Sequence, residues 1–246
     1  AVRERMAGLV ASLQAERNRE RELAEASRVA RREAQDAEGR IVSLEALQRA
    51  ALGQGQGKVV DWLEARGLGG NPRLARQLSV DAGWDRAVET VLGTYLEAVC
   101  VDSIDDVAGI LESLTAGTVT FFAGAQGPAG GGHSGDSLRS HVQGPTGLDA
   151  LFEGIVATDS LGEALAVRPR LRAGQSVITR EGIWIGPDWL RVSRDRDAHE
   201  GVIEREQALR RERAELDALQ ARSRQIDEEL EAVREKVRAT EDQLAD

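Results

Sequence analysis

The chain has 246 residues, of which 3% are aromatic and 30% are charged, and its formal net charge is −10 at pH 7. So few aromatic residues exclude one globular core of that size, and the single cysteine, Cys100, excludes an intramolecular disulfide framework and a cysteine-based zinc site. No apolar run approaches the roughly 20 residues of a membrane helix and no leader opens the chain, which predicts a soluble cytoplasmic protein with no membrane partner.

The first predicted element is a coiled-coil arm over residues 1–51. One fixed heptad register places apolar residues at 11 of 15 seam positions without a slip. A helix with this repeat needs a partner helix along its length. The seam consists of Val2, Met6, Leu9, Leu13, Glu16, Glu20, Leu23, Ser27, Ala30, Ala34, Ala37, Ile41, Leu44, Gln48 and Ala51.

The arm is followed by Gly53-Gln-Gly-Gln-Gly-Lys58, which is similar to a phosphate-binding loop. A Walker A loop has four residues between its glycines and a Ser or Thr after the lysine to hold magnesium. Here three residues separate Gly53 from Gly57, Val59 follows Lys58, and no strand precedes the segment. We therefore interpret it as a flexible exit from the arm and expect it to bind no nucleotide.

The middle of the chain, residues 52–200, is predicted to be an α/β domain whose first lobe covers about 58–123. A helix face over 84–92 is followed by a buried strand, Leu96–Val101. Ser103 then caps a helix that runs to Leu114, and Thr118–Phe122 forms a second strand. The order is helix, strand, helix, strand.

The segment Gly124–Gly147 contains eight glycines and two prolines, a composition typical of a mobile connection between lobes. It also contains His133 and His141. Because no cysteine lies near these histidines and the backbone is predicted to be flexible, we favour a plain linker over a metal site.

The second lobe, residues 148–200, repeats the first at a spacing of 57 residues. Val99, Asp102, Ser103 and Gly117 recur as Val156, Asp159, Ser160 and Gly174. Pro169 predicts that the helix of this lobe ends near Val167. Three strands should follow, with a tight turn between the first two. We place them at Gln175–Arg180, Ile183–Gly186 and Trp189–Ser193, and the turn at Glu181-Gly182.

The last element is a second arm over residues 201–246, in which 9 of 13 seam positions are apolar. Its length, roughly 68 Å against 75 Å for the first arm at 1.5 Å per residue, favours antiparallel pairing within one chain. Pairing with a copy in another chain, or a solvated single helix, remains open. Because the pattern reaches both ends, we expect a piece of a longer protein. The seam consists of Val202, Arg205, Leu209, Glu212, Leu216, Leu219, Ser223, Ile226, Leu230, Val233, Val237, Thr240 and Leu244.

The residue patterns indicate no catalytic centre. Cys100 lies inside an apolar strand, where a thiol is usually an inert small hydrophobe. Asp102, Asp105 and Asp106 cluster at a helix start, where capping and the helix dipole explain them. The middle domain holds 13 basic and 20 acidic residues, which weighs against a large nucleic-acid surface.

Three consecutive pieces resemble the hinge of SMC (structural maintenance of chromosomes) proteins of bacteria. They are Asp85–Gly93, Leu96–Val101 and Gly117–Phe122, similar to the family's helix with a Leu-Gly turn, its strand and its G-x-x-T-F strand. The resemblance covers roughly 53–200. It implies an α/β (α+β) two-lobed hinge domain inserted in a long antiparallel intramolecular coiled coil.

The resemblance also implies a function. Two chains would form a homodimer through the hinge, and the arms would lead to ATPase heads absent from this chain, where ATP, magnesium, kleisin and accessory subunits bind. The whole assembly would entrap or loop DNA in chromosome condensation and segregation at the nucleoid. The chain itself would be no enzyme and would hold no cofactor.

Two sets of site residues follow from the resemblance. Where the family carries paired glycines on its last strand, this chain has Asp188, Trp189, Ser193 and Arg194, so side chains should replace a glycine contact; Trp184 and Trp189 could equally fill the lobe's own core. The expected dimer interface comprises Gly117, Val119, Phe121, Gly186, Trp189, Leu190 and Val192. Candidates for weak DNA contact are Lys58, Arg191, Arg194 and Arg196, although a solvated strand end near Asp195 and Asp197 explains them more simply.

A function of another class stays open. An α/β binding or enzymatic domain could be displayed on an unrelated coiled-coil scaffold, and a deep polar pocket at a strand end would favour it. A zinc hook joining coiled coils is excluded, because it needs a Cys-x-x-Cys motif between the arms.

Overall fold

A computed structural model describes residues 2–52, 57–124, 136–192 and 201–245. The chain divides into two compact units, one of Ala1–Leu44 with Leu209–Asp246 and one of Glu45–Ala208. The elements in chain order are α1 (Val2–Ala51), α2 (Lys58–Ala65), β1 (Ser79–Val80), α3 (Asp85–Leu92), β2 (Val99–Val101), α4 (Ile104–Ala108), β3 (Phe121–Ala123), β4 (Val142–Gln143), α5 (Leu148–Phe152), β5 (Ile155–Thr158), α6 (Leu161–Val167), β6 (Ser176–Thr179), β7 (Trp184–Ile185), β8 (Leu190–Arg191) and α7 (Val202–Ala245).

In the first unit, α1 and α7 pair antiparallel within one chain, as the heptad pattern predicts. Ion pairs join Arg17 to Glu241 (2.6 Å) and Arg40 to Glu212 (2.8 Å). Residues later in α1 therefore pair with residues earlier in α7, which is the order of an antiparallel pair. The predicted antiparallel intramolecular coiled coil is confirmed.

The buried residues of this unit follow the predicted seams. Every residue that the structure describes as buried in 2–44 and 209–245 occupies a seam position of the fixed register. They are Leu23, Ser27, Ala30, Ala37 and Ile41 on α1 and Leu209, Leu230, Val237 and Thr240 on α7.

One of the polar contacts along the apolar seam involves Ser27. The Ser27 hydroxyl donates to Asp227 Oδ1 at 2.7 Å, and Arg31 Nη2 donates to the other carboxylate oxygen at 2.8 Å. The Ser27 hydrogen bond, with that of Arg31, holds the pKa of Asp227 below its usual range. Shifting the helices by one heptad would separate these groups, so the contact favours a single register.

The second unit contains two lobes with the same order of strand, helix and parallel strand. In the first lobe β2 pairs with β3, with Val99 opposite Phe121, and α4 lies between them in sequence. In the second lobe β5 pairs with β6, with Ile155 opposite Ser176, and α6 connects them. The Ser103 and Ser160 hydroxyls accept hydrogen bonds at the starts of α4 and α6. The doubled unit inferred from the repeat is therefore present in the backbone.

Two antiparallel strands extend the second sheet, whose order is β5-β6-β7-β8. The turn before β7 is made by Gly182, which has φ of +78°. A Cβ on Gly182 would lie 2.7 Å from Thr90 Oγ1, so the turn needs glycine for both its conformation and its packing. The helix α6, between β5 and β6, ends at Val167, two residues before Pro169, as expected.

One apolar core joins both lobes and reaches the ends of the long helices. Leu96 of the 3₁₀ turn before β2 and Ile178 of β6 are fully buried in it, as is Phe152 of α5. Leu52, Val202 and Ile203 belong to the same cluster. The end of α1 and the start of α7, which lie within 45–208, are thus part of the hinge core.

Some predicted boundaries are wrong for local reasons. The helix expected over 104–114 ends at Ala108, where Gly109 is a poor helix former, and a 3₁₀ turn follows at Leu111–Ser113. The strand expected from Leu96 begins at Val99, because Gly93–Glu97 forms a 3₁₀ turn. The strand expected over Thr118–Phe122 covers Phe121–Ala123.

The linker prediction is wrong for residues 136–147, while 125–135 lie outside the described residues. Leu138–His141 forms a 3₁₀ turn, and β4 pairs antiparallel with β1 of the first lobe. Leu138 and Val142 are buried, and the guanidinium of Arg139 is held by Asp149 and the Val142 carbonyl. The glycine-rich composition hid these few apolar residues, which fix the segment in the core.

We predict that Leu44→Cys with Leu209→Cys crosslinks within one chain. Both residues lie on the seams of the first unit, close to the Arg40 and Glu212 pair. A denaturing gel after treatment with a short thiol crosslinker should show a faster, monomeric band. The matched control is Val42→Cys with Leu209→Cys, because Val42 is 62% exposed and lies off the seam. Crosslinks formed only between chains would contradict the intramolecular coiled coil.

Candidate dimerisation surface and helix junction

The last hairpin of the second lobe carries four of the predicted interface residues. Gly186 lies between β7 and β8, and its N–H donates to the Trp189 carbonyl at 2.9 Å, closing the turn. Trp189, Leu190 and Val192 are 45%, 56% and 46% exposed. Large apolar side chains therefore remain in contact with solvent along the final strand.

Gly186 is needed by the chain's own tryptophan. A Cβ at this position would lie 2.1 Å from Trp189 Nε1, so the indole rests directly on the glycine. Trp189 also forms a T-shaped contact with Trp184, with ring centroids 5.3 Å apart and an interplanar angle of 85°. Trp184 is in turn anchored by a hydrogen bond from its Nε1 to Ser176 Oγ at 2.9 Å. Trp189 thus contacts Gly186 and Trp184 within its own lobe, while nearly half of its surface remains exposed.

The first-lobe residues of the predicted interface are not on one strand. Gly117 and Val119 precede β3, and only Phe121 belongs to it. Gly117 has φ of +93°, and a Cβ there would lie 2.2 Å from Val59 Cγ2 of α2. Of Gly117–Phe122, only Phe121 and Phe122 belong to β3, and Gly117 packs against α2 of the same chain.

The DNA-contact candidates are only partly described. Lys58 is the first residue of α2 and Arg191 lies on β8, and both are exposed. Arg194 and Arg196, like Asp195 and Asp197, lie outside the described residues. The structure therefore describes two exposed cations on different lobes.

Sequence reasoning missed a buried carboxylate at the start of α7. Glu89 of α3 is 8% exposed, and its two oxygens accept hydrogen bonds from the N–H groups of Gly201 (3.0 Å) and Ile203 (2.8 Å). It satisfies donors that an α-helix leaves open at its N-terminus. The only sequence signal was an acidic residue near the buried face predicted for α3.

Amide side chains complete this junction. Gln48 of α1 donates through Nε2 to the Val202 carbonyl at 2.9 Å and accepts from Arg205 Nε at 3.2 Å. Gln207 donates to the Val80 carbonyl and to Asp85, both at 3.0 Å. The start of α7 is thus tied by hydrogen bonds to α1, to β1 and to α3.

The side chains considered for catalysis or metal binding are engaged in packing and polar contacts within the fold. Burial raises the pKa of Cys100 to about 11, which keeps the thiol protonated and unreactive. His141 stacks on Trp84 with ring centroids 4.3 Å apart, and its Nδ1 lies 3.1 Å from Asp81. No cluster of three or more metal-ligating side chains occurs among the described residues. Among the helices described, none combines the length and apolar character required to cross a bilayer.

Comparison with known proteins identifies the same region. Residues 68–168 match the family model of the SMC proteins' flexible hinge domain. The chain is 39% identical over 71% of its length to a chromosome partition protein Smc of Coxiella burnetii, and 35% identical over 93% to that of Methylococcus capsulatus. The aligned regions span 15% and 20% of those relatives, so the chain corresponds to a small part of such proteins.

A solved structure has the same fold. The chain matches the SMC hinge domain of Geobacillus stearothermophilus, described as an asymmetric dimer, with a TM-score of 0.56 and 19% sequence identity. The match covers 95% of this chain and 99% of that one.

We predict a specific pH dependence from Glu89. Burial raises the pKa of this carboxyl above its ordinary 4.5, so the folded state holds the proton more tightly than the unfolded state does. The stability contributed by the protonated form is present below pH 4.5 and is lost as the pH rises through the raised value. Urea unfolding measured at a series of pH values from 4.5 upward tests this. The free energy of unfolding of the wild type, relative to that of Glu89→Gln, should fall as the pH increases.

The control for this prediction is Glu64→Gln, which removes an exposed carboxylate from α2. Its stability relative to the wild type should change much less over the same range. An equal pH dependence for both variants would show that Glu89 does not titrate differently in the folded chain.

Proposed function

The chain belongs to the SMC hinge family, and on that premise we propose that it joins two copies of a chromosome-partition protein through the last hairpin of its second lobe. Each copy places β8 against β3 of the other, giving two equivalent contacts about a two-fold axis. The domain is a hinge domain and not a catalytic one. The observation that carries the proposal is the exposed apolar edge formed by Trp189, Leu190 and Val192.

The position of β8 supports this pairing. It is the terminal strand in the order β5-β6-β7-β8, so within the described residues only one of its edges is hydrogen-bonded. An unpaired edge with large apolar side chains is a template for another strand. The strand is short, so the side chains rather than a long ladder must supply most of the affinity.

The support beneath Trp189 favours a binding role for its exposed part. Its indole is fixed by Gly186 on one face and by Trp184 at its edge, so little side-chain entropy is lost when a partner covers it. Rigid aromatic anchors of this kind frequently dominate interface energies. Trp189 therefore has contacts within its own lobe and, in this proposal, an exposed part that the partner covers.

The receiving edge is β3 in the first lobe. Within the described residues β3 pairs with β2 alone, which leaves its other edge available. Phe121 and Ala123 are half-buried, and Phe121 lies 6.4 Å from Trp62 between ring centroids. The apolar strand of one copy would meet an aromatic surface on the other.

In the whole protein, this dimer would connect two coiled-coil arms. We propose that ATPase heads outside this chain bind ATP, magnesium, kleisin and accessory subunits, and that the assembly encloses or loops DNA at the nucleoid. The relatives are named for chromosome partition, which supports this role. A hinge whose two contacts are formed by short edge strands could also open without unfolding the lobes.

We predict that the chain sediments as a dimer at micromolar concentration and that Trp189→Ala weakens it. Loss of a central aromatic anchor costs about 2 kcal/mol or more, equivalent to roughly thirty-fold in the dissociation constant. Analytical ultracentrifugation across a concentration series measures the change. The matched control is Val29→Ala, which removes an apolar side chain of 46% exposure from the coiled-coil unit, outside the proposed interface.

Two results would contradict different parts of this proposal. A wild type that is monomeric throughout the micromolar range would overturn hinge dimerisation. A Trp189→Ala variant that dimerises as well as the wild type would leave dimerisation intact and assign Trp189 to the core. Circular dichroism and thermal unfolding of each variant establish that the fold is kept.

We further propose weak DNA contact through the exposed cations Lys58 and Arg191, and we predict how salt should affect it. Lys58→Glu with Arg191→Glu should lower the affinity for duplex DNA and reduce the slope of log affinity against log salt by about 1 for each lost phosphate contact. Fluorescence anisotropy measures both quantities. Arg66→Glu, at the other end of α2, is the control of equal charge change per residue. An unchanged slope in the double variant would contradict the contact.

A further inference from the structure

A cavity of about 510 Å³ lies in the unit Glu45–Ala208, between the start of α2 and the segment that precedes β3. Its walls include Gly57 and Lys58 from the start of α2, and Thr118 and Thr120 from the segment before β3. Arg73 and Glu97 also line it. The cavity therefore contains the lysine of the glycine-rich motif and several polar groups that the proposed dimer does not use.

Arg73 has no acceptor for its charge. The residue is 5% exposed, its buried Nε makes no hydrogen bond, and no ion pair to its guanidinium occurs among the described residues. A desolvated charge without a partner is costly, and burial lowers the pKa of Arg73 below its usual range. The buried Arg139, by contrast, is paired with Asp149 at 2.6 Å. The Glu97 carboxylate partly offsets the effect of burial on Arg73 but forms no ion pair with it among the described residues, so the Arg73 guanidinium can still bind an external anion.

Other donors surround the same space. The eight-residue helix α2 begins at Lys58 and has no side-chain cap at Gly57, so its first N–H groups and its positive dipole end are open. Lys58 contributes an ammonium group, and Thr118 and Thr120 contribute hydroxyls. The one acidic residue in the lining, Glu97, interacts electrostatically with Arg73. The cavity lining therefore contains more cationic and hydrogen-bond donor groups than acidic ones.

We propose that this cavity binds a small oxyanion, a phosphate or a carboxylate group, held by the Arg73 guanidinium with the start of α2. The planar guanidinium matches the oxygens of either group in a two-pronged hydrogen bond. Because only 5% of the surface of Arg73 is exposed, a DNA duplex cannot reach it, and only a small anion fits.

Calorimetric titration of the intact chain tests the site, using inorganic phosphate and acetate in separate arms and a buffer free of other oxyanions. We expect one anion per chain, and the stronger of the two arms identifies the preferred group. Arg73→Met should weaken binding by about ten-fold or more, since it removes charge-assisted hydrogen bonds. Arg66→Met, which changes an exposed arginine just after the other end of α2, should bind as the wild type does.

Thermal unfolding gives an independent readout. Without anion, Arg73→Met should be at least as stable as the wild type, because an unpaired buried charge is removed; with millimolar anion, only the wild type should gain stability. If Arg73→Met does not fold, Lys58→Met with Thr118→Val should show the loss of affinity instead.

Three outcomes would overturn the proposal. The first is no binding of either anion by the wild type at millimolar concentration. The second is equal binding by Arg73→Met and the wild type. The third is a dimer that dissociates as phosphate binds, which would assign the cavity to a carboxylate of the second copy. Sedimentation with and without phosphate separates this last case from a failure to dimerise.

Discussion

The carboxylate of Glu89 is the acceptor on which the start of the C-terminal helix depends. A helix cannot satisfy its first N–H groups by itself, and here Gly201 and Ile203 donate theirs to a side chain from α3. Val202 and Ile203 enter the hinge core at the same point. Capping and burial thus act together, and the beginning of the helix is part of the globular fold rather than an appendage. Burial of this carboxylate makes the junction sensitive to protonation.

The doubled lobe explains why strand edges are left unpaired among the described residues. Each lobe contains one parallel pair joined through a helix, and two strands are too few to form a closed sheet. The second lobe is extended by β7 and β8, and the extension ends in exposed apolar side chains. Soluble proteins usually protect such an edge with charge or by covering it. An edge that is instead lined by a supported tryptophan is suited to a second copy of the chain.

The two buried arginines differ in how their charge is compensated. Arg139 pairs with Asp149 and with a backbone carbonyl, so it fixes residues 136–147 against the core. Arg73 has no such acceptor, although it is nearly as deeply buried. Since an unpaired buried charge opposes folding, the first arrangement is structural and the second favours an external anion.

The sequence by itself determined the elements that depend on local periodicity. The heptad seams, the caps at Ser103 and Ser160, and the end of α6 before Pro169 follow from spacing and from backbone chemistry that acts within a few residues. The repeat of 57 residues likewise predicted two equivalent lobes. These features needed no knowledge of distant contacts.

Only the tertiary structure decided which groups meet across the chain. Glu89 is a helix cap because α3 lies beside Gly201, and Gly186 is required because Trp189 folds back onto it. The segment 136–147 is held in the core by Leu138, Val142 and Arg139, and its glycine-rich composition does not reveal the contacts that these residues make. Burial and hydrogen bonding are properties of positions in space, and no local pattern specifies which far residue will occupy them.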